Sequence, residues 1–402
     1  MDLRLQLANK HGCTGCMACV DACPQNALKS VEAKDGHLYA SFEEDKCINC
    51  KRCEQVCPVL HLPYASNKVD DLKIYAAVSN EETLYEKSTS GGVFAAIAKQ
   101  FLEEGGVVIG ATLEGFRTKH IVIDSINELN KLQGSKYMES NLTGIYKTIN
   151  KYLQLDRKVL FSGMGCQGAA VSNFFRKSSK RNLLFIVDII CGGVPSNLLV
   201  DKFKESQFKP DEIHHFREKN KYAFGYLKDG QIESLSISQA LPLGGFCAEF
   251  TERWSCYDCQ FTGIGRASDL TIGDYWGKQP DDMLKKYPGK HFSIVIANSI
   301  KANELLQNFK YLQLSSAPWS ALRDNPRCVY GKSLKKHSIF RKKLPELFSK
   351  YDYRTLNSLY GNGGYCANVL WLVSMFERFV IGKINRILVC YYANKLIKMM
   401  TK

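Results

Sequence analysis

The stretch Cys13-Thr14-Gly15-Cys16-Met17-Ala18-Cys19-Val20-Asp21-Ala22-Cys23-Pro24 decides how the first part of the chain is read. Its pattern, C-x-x-C-x-x-C-x-x-x-C-P, returns in Cys47-Ile48-Asn49-Cys50-Lys51-Arg52-Cys53-Glu54-Gln55-Val56-Cys57-Pro58. Three thiolates on one tight turn can hold three corners of an iron–sulfur cube, and the fourth cysteine of each run ligates the other cube. The expected sets are therefore Cys13, Cys16, Cys19 and Cys57 for one 4Fe–4S cluster, and Cys47, Cys50, Cys53 and Cys23 for a second. A zinc site or a pair of disulfides is the competing reading. Zinc favours two separated C-x-x-C pairs over a triplet with a distant fourth ligand.

These residues resemble the bacterial ferredoxin domain, and the resemblance covers roughly 1–62. It implies an α+β ferredoxin-like N-terminal domain. Between the two runs, Ala27 to Phe42 is expected to form a hairpin turning at Asp35-Gly36. Leu62 to Asp71 reads as a linker.

At 402 residues the chain is too long for that domain alone, and about 150 residues per domain suggests two or three domains. Sixteen cysteines point to a reducing compartment and metal ligation rather than a disulfide scaffold. Met1 to Lys10 has no apolar core of a signal peptide, so a cytoplasmic location is expected. No run of about 20 apolar residues predicts a membrane span. The net charge of +14 is uneven. Residues 331–402 carry fourteen Lys/Arg against three Asp/Glu, so the rest of the chain is close to neutral. Nothing in that distribution marks a nucleic-acid site.

From Leu72 the pattern alternates. Strands are expected at Ile74–Val78, Val107–Gly110, Ile121–Ile126, Val159–Ser162, Leu183–Asp188, Leu270–Asp274 and Ser293–Asn298. Helices are expected at Val93–Leu102, Thr143–Leu155, Gln167–Phe175 and Ala302–Phe309. This alternation favours an α/β domain.

Four more cysteines stand on turns. Cys166 and Cys191 each follow a strand, and Cys256 and Cys259 form a C-x-x-C. Four thiols are the count for a third 4Fe–4S cluster; free cysteines packed as small hydrophobes are the alternative. Gly163-Met164-Gly165-Cys166-Gln167-Gly168 is also a literal G-x-G-x-x-G with Asp188 downstream, which fits a dinucleotide-binding fingerprint. The remaining cysteines, Cys247, Cys328, Cys366 and Cys390, have no partner at ligand spacing. Of His214-His215, one is expected to face solvent.

Ser88 to Gly92, Gly134-Ser135-Lys136-Tyr137, Gly163 to Gln167, Cys191 to Ser196, Phe216-Arg217, Cys256 to Phe261, Asp269 to Asp274 and Trp276-Gly277 occur in an order that resembles the coenzyme F420 hydrogenase/dehydrogenase β-subunit family. The resemblance covers about 72–315, and the corresponding domain is taken as 72–330. It implies an α/β flavin-binding domain holding FAD beside a 4Fe–4S cluster on Cys166, Cys191, Cys256 and Cys259. Ser90, Gly91 and Gly92 match a turn whose amides could receive the FAD pyrophosphate. Lys136 matches a lysine that binds flavin or an anionic substrate, and Asp269 and Asp274 match positions near the flavin. Met164-Gly165 stands where the family has Thr-Pro, and Gly192 where it has His.

Residues 331–402 are expected to be a helical basic tail. Within it, Asn368–Lys398 is amphipathic, which suits either an anionic membrane surface at the inner face or packing on protein. The overall expectation is an iron–sulfur flavoprotein oxidoreductase. It would exchange electrons between a ferredoxin-like protein and an organic or F420-like substrate. A non-catalytic electron-relay subunit is the alternative. No catalytic acid, base or nucleophile can be assigned.

Overall fold

The computed structural model describes residues 11–63, 72–219, 221–322 and 339–361. The N-terminal unit consists of α1 (Ala18–Ala22), the hairpin β1 (Leu28–Glu32) and β2 (Leu38–Phe42), and α2 (Arg52–Gln55). The hairpin pairs Leu28 with Phe42 and Glu32 with Leu38. Its turn closes through Gly36 N–H donating to Ala33 O, as Asp35-Gly36 predicts.

The body follows in the order β3 (Lys73–Ser79), α3 (Glu82–Glu86), α4 (Val93–Glu103), β4 (Val107–Glu114), β5 (Arg117–Ile123), β6 (Ser140–Asn141), α5 (Ile145–Gln154), β7 (Val159–Met164), α6 (Gly165–Phe174), β8 (Leu184–Ile189), α7 (Leu198–Lys204), β9 (Glu212–His215), β10 (Ala223–Lys228), β11 (Gln231–Ser236), α8 (Leu241–Ala248), β12 (Leu270–Asp274), α9 (Asp281–Lys286), β13 (Ser293–Ala297), α10 (Ile300–Gln307) and β14 (Leu312–Ser316). Nine strands form one sheet in the order β14-β3-β13-β12-β8-β7-β4-β5-β6. Its centre, β12-β8-β7-β4, is parallel. Antiparallel neighbours β13 and β5 flank that centre, so the sheet is mixed. β3 pairs antiparallel with β13 and therefore runs in the same sense as β12.

Side-chain alternation sorts the central strands onto two covered faces. Val108, Leu160, Phe185 and Val187 pack with α4 and α10. Val107, Ile109, Val159, Phe161, Leu184 and Ile186 pack with α5 and α6, and Cys16 and Ala18 of the N-terminal unit join them. Both faces are buried, which is why these strands read as short apolar runs.

A second core lies around the three-stranded sheet β11-β10-β9. Here Phe203, Phe224 and Tyr226 pack with Leu344, Phe348, Tyr353 and Leu356. The helices Ile339–Lys350 and Tyr353–Tyr360 thus belong to the folded body, a correction to the expected tail beginning at 331. Arg341 is 1 % exposed and ion-paired to Asp35 at 3.2 Å. Asn368–Lys398, Cys328, Cys366 and Cys390 lie outside the described residues. Among the described residues no helix is long and apolar enough to cross a membrane.

The turn before α4 is clamped between two strands. Gly91 N–H donates to Ser293 Oγ at 3.0 Å, and Gly91 O accepts from Ser79 N–H at 2.7 Å. A Cβ on Gly91 would stand 2.5 Å from Ala77 O and 2.7 Å from Ser293 N. Both obstacles are backbone and cannot swing away. G91A is expected to cost about 1–3 kcal/mol through overpacking, read as a lower thermal unfolding midpoint. An unchanged midpoint would mean that β3 and β13 do not clamp the turn.

Candidate redox site

The two cysteine runs build the same loop twice. Positive φ recurs at Gly15 and Met17 in the first run and at Asn49 and Lys51 in the second. Three of these four residues carry a side chain, so the left-handed turns come at a conformational cost. The coiled loops turn amides toward sulfur. Asn49 N–H donates to Cys47 Sγ at 3.4 Å, and Ala27 N–H donates to Cys23 Sγ at 3.2 Å.

Cys13, Cys16, Cys19 and Cys57 line one cavity of about 340 Å³, together with Tyr39 and Pro58. Cys23, Cys47, Cys50 and Cys53 line another, with Leu28 and Phe42. The grouping is the crossed one expected from the spacing. None of the thirteen described cysteines is in a disulfide. Among the described residues no three His, Cys, Asp or Glu close on a single metal ion; the thiols surround cavities instead. Burial pushes the thiols of Cys16 and Cys53 up to about 11, against the partial help of amide donors. Neutral thiols must therefore give up protons when they ligate a metal group.

The third set also assembles. Parallel strands β7 and β8 end side by side, with Met164 paired to Ile189. They deliver Cys166 in the first turn of α6 and Cys191 just past β8. Burial raises the Cys166 thiol, and Cys259, Cys191, Cys256 and Cys16 add to the rise. The Cys166 thiol is thus within electrostatic reach of those of Cys191, Cys256 and Cys259, and of Cys16 in the first cavity. Gly193 N–H donates to Cys191 Sγ at 3.4 Å. Cys247 lies outside this group, half-buried on α8, with its thiol pushed up to about 11 by burial.

The dinucleotide fingerprint has no open cradle. A Cβ on Gly163 would meet Gln167 Oε1 at 2.8 Å, on Gly165 Phe261 O at 2.8 Å, and on Gly168 Ser268 Oγ at 2.4 Å. The glycines serve the protein's own packing around Cys166. Asp188 accepts from Ser268 Oγ at 2.9 Å and pairs with Arg266 at 3.3 Å, so it does not reach for a ribose.

Beside the third set lies a polar patch at the same edge of the sheet. Thr89 Oγ1 and Ser135 Oγ stand 3.0 Å apart, joining the turn before α4 to the loop of Lys136. Ser90 Oγ donates to Phe292 O at 3.3 Å. Gly91 N–H is committed to Ser293, so it is not among the free amides expected there. Gly92 has φ 79° and α4 opens without a side-chain cap. The Lys136 ammonium donates to Gln133 O at 2.7 Å and Gly134 O at 3.2 Å, and desolvation pushes it down to about 8. Asp274, at the carboxyl end of β12, accepts from Arg217 Nη1 at 2.7 Å. Tyr137 stacks on Phe246 with ring centroids 4.3 Å apart.

Asp269 stands apart from this patch. It precedes β12, roughly 16 Å of extended strand from Asp274. Asp269 Oδ2 accepts from Ile186 N–H at 2.8 Å and its carbonyl accepts from Asn298 N–H at 2.9 Å. Its work is to hold strands in register, not to line the site.

Several site residues escape sequence reasoning. Arg217 appears there only as a motif letter, yet its Nε is buried with no hydrogen-bond partner among the described residues. Glu139, 3 % exposed, accepts from Leu38 N–H at 2.9 Å, approaches His37 Nδ1 at 3.3 Å and pairs with Arg253. Burial works against its charge, but the Arg253 guanidinium beside it holds its carboxyl below the ordinary range. His37, fully buried, has its pKa lowered by desolvation. His120 is likewise held neutral, pushed by burial to about 4, between Ser140 Oγ at 2.7 Å and Ser162 O at 3.0 Å. No local motif marks these residues, because their partners are more than a hundred positions away or on another strand. Of the histidine pair, His214 is the exposed member.

Removing the Glu139 carboxylate would leave Arg253 buried and unpaired. E139A is expected to destabilise by about 3–5 kcal/mol, measured by denaturant unfolding. A loss under 1 kcal/mol would show that the pair is not desolvated.

Comparison with known proteins agrees with this layout. Residues 74–146 match the family described as coenzyme F420 hydrogenase/dehydrogenase, β subunit N-terminus, and residues 156–317 match its C-terminal counterpart. Residues 12–60 match a 4Fe–4S dicluster domain. An uncharacterised ferredoxin of Methanocaldococcus jannaschii is 35% identical over 52 residues, which is 13% of this chain and 66% of that protein. Among solved structures, a chain of the F420-reducing NiFe hydrogenase complex from Methanosarcina barkeri aligns with a TM-score of 0.42 at 15% identity. The alignment covers 71% of this chain and 89% of that one.

Proposed function

The chain belongs to the coenzyme F420 hydrogenase/dehydrogenase β-subunit family, with a 4Fe–4S dicluster domain ahead of it, and from that premise we propose that it is an iron–sulfur flavoprotein oxidoreductase. It exchanges electrons with a ferredoxin-like protein at one end and with an organic or F420-like substrate at the other. What supports this reading most is that two cysteine-lined cavities are joined by Cys166 and Cys191 at the carboxyl edge of the sheet, where β12 also ends at Asp274.

When bound, iron–sulfur clusters supply single-electron transfer and FAD supplies its conversion to a two-electron or hydride step. The chain's own residues hold and order these groups. Cys47, Cys50, Cys53 and Cys23 form the outer set, with Cys50 exposed; this is the end a protein donor reaches. Cys13, Cys16, Cys19 and Cys57 form the inner set. Cys166, Cys191, Cys256 and Cys259 form the third. Coiled loops that aim amides at sulfur suit thiolate ligation, because N–H donors stabilise the anionic sulfur.

FAD fits the adjoining patch on three counts. Ligands of open α/β sheets bind at the carboxyl ends of parallel strands. The uncapped first turn of α4 after Gly92 offers amides to a phosphate. Arg217 Nε is a buried donor with its place unfilled. Ser90 and Gly91 shape the turn, Lys136 meets an anionic group, and Asp274 fixes the Arg217 fork.

Anaerobic purification followed by iron, sulfide and flavin quantification tests the reading. About twelve irons and one FAD per chain are expected. C191S or C256S is expected to remove about four irons and leave about eight. About eight irons and no flavin in the unaltered chain would overturn the third cluster and the flavin enzyme together. About twelve irons without flavin would favour an electron-relay subunit.

Lys136 gives a pH signature. Its ammonium is charged below about 8 and loses its proton as pH rises through that value. FAD affinity of the flavin-stripped protein is therefore expected to be highest below pH 8 and to weaken above it. K136M should bind more weakly at neutral pH and show no dependence across the same window. An unchanged profile in K136M would remove Lys136 from the site.

A further inference from the structure

Arg253 is a deeply buried charge beside the inner thiol group. It is 1 % exposed. Its Nη1 donates to Cys13 O at 3.2 Å, and its Nη2 donates to Leu38 O and pairs with Glu139. The guanidinium stands 4.6 Å from the centre of the Tyr39 ring, and Tyr39 lines the inner cavity. Gly15, between Cys13 and Cys16, has no room for a side chain. A Cβ there would fall 2.4 Å from Arg253 Nη2 and 2.4 Å from Glu139 Oε1. The ion pair is thus packed directly on the first ligand loop. Its own carbonyl accepts from Cys256 N–H at 2.9 Å in the turn that follows.

We propose that Arg253 is a positioning residue that raises the reduction potential of the inner iron–sulfur site, by holding a buried positive charge against Cys13. The proposal rests on the cluster assignment above. Reduction adds one electron to a cluster, with no bond made or broken. The added negative charge is stabilised by a cation in a medium where water cannot screen it. Glu139 offsets part of this effect, but the guanidinium is the member of the pair that bonds Cys13 O.

The test is an anaerobic dithionite titration of the full chain, followed by EPR, with iron content measured on each sample. The variants are R253K, R253Q and the double variant E139Q/R253Q. The double variant removes the pair together and so avoids an unpaired buried carboxylate. R253Q is expected to make the inner cluster about tenfold harder to reduce, a fall of ~59 mV for one electron, and the double variant to shift it the same way by less. The outer cluster should not move. R253K should stay close to the unaltered protein. Iron-replete variants that titrate like the unaltered chain would overturn the proposal and leave the cluster assignment intact. So would R253K falling as far as R253Q, which would assign the effect to geometry rather than charge. An unaltered chain with no iron would overturn both.

Discussion

A carboxylate almost wholly removed from water must be given donors by the fold, and Glu139 is given them by segments far apart in the chain. Leu38 N–H and His37 come from the N-terminal hairpin, and Arg253 comes from the segment leading into Cys256. The desolvation cost of such a group is met only when every partner is in place. The hairpin, the loop before β6 and the approach to the third cysteine set are therefore fixed relative to one another as a unit. Asp35 and Arg341 repeat the arrangement nearby, drawing the helix Ile339–Lys350 into the same junction. Buried pairs of this kind contribute more to a single geometry than to net stability, and a single geometry is what neighbouring redox groups require.

The sheet supplies the second constraint. Parallel strands all end on one edge, and here that edge collects Cys166, Cys191 and Asp274. β3 runs the same way, so the turn before α4 arrives at the same edge. Residues almost 200 positions apart meet because strand direction, rather than sequence neighbourhood, decides where chain ends gather. Asp269 makes the same point in reverse. It is five residues from Asp274, yet the strand between them carries it to the opposite edge.

Features set by neighbours in the chain were legible from the sequence. The cysteine loops are local, and their crossed pairing followed from spacing alone. The central strands were legible because burial on both faces leaves uninterrupted apolar runs. The hairpin β10–β11 was overlooked, although Asp229-Gly230, with φ of 50° and 76°, is a recognisable turn signal. The helices after 338 were expected, but not their packing on the body, for a physical reason. A basic run reads as solvent-facing, and nothing local tells that Arg341 would find Asp35 some three hundred residues away. Glu139, His37 and Arg253 were illegible on the same account. The fingerprint at Gly163 was legible but misleading, since glycine is needed equally where protein, rather than phosphate, makes the close approach.

The docking of the N-terminal unit has a consequence for how the protein is assembled. Helix α5 carries no cap of its own: Gly144 precedes it, and the donors of its first turn are met by Asp21, at 2.8 Å from Gly144 N and 3.0 Å from Tyr146 N. Asp21 lies between Cys19 and Cys23, and Tyr146 O–H returns a bond to Cys16 O at 2.8 Å. A helix of the body thus borrows its start from the ligand loop of another unit. Anything that orders that loop also nucleates α5, and anything that loosens it frays a helix covering the central sheet. The geometry of the ligand loop and the start of a helix that covers the central sheet are thus coupled through Asp21.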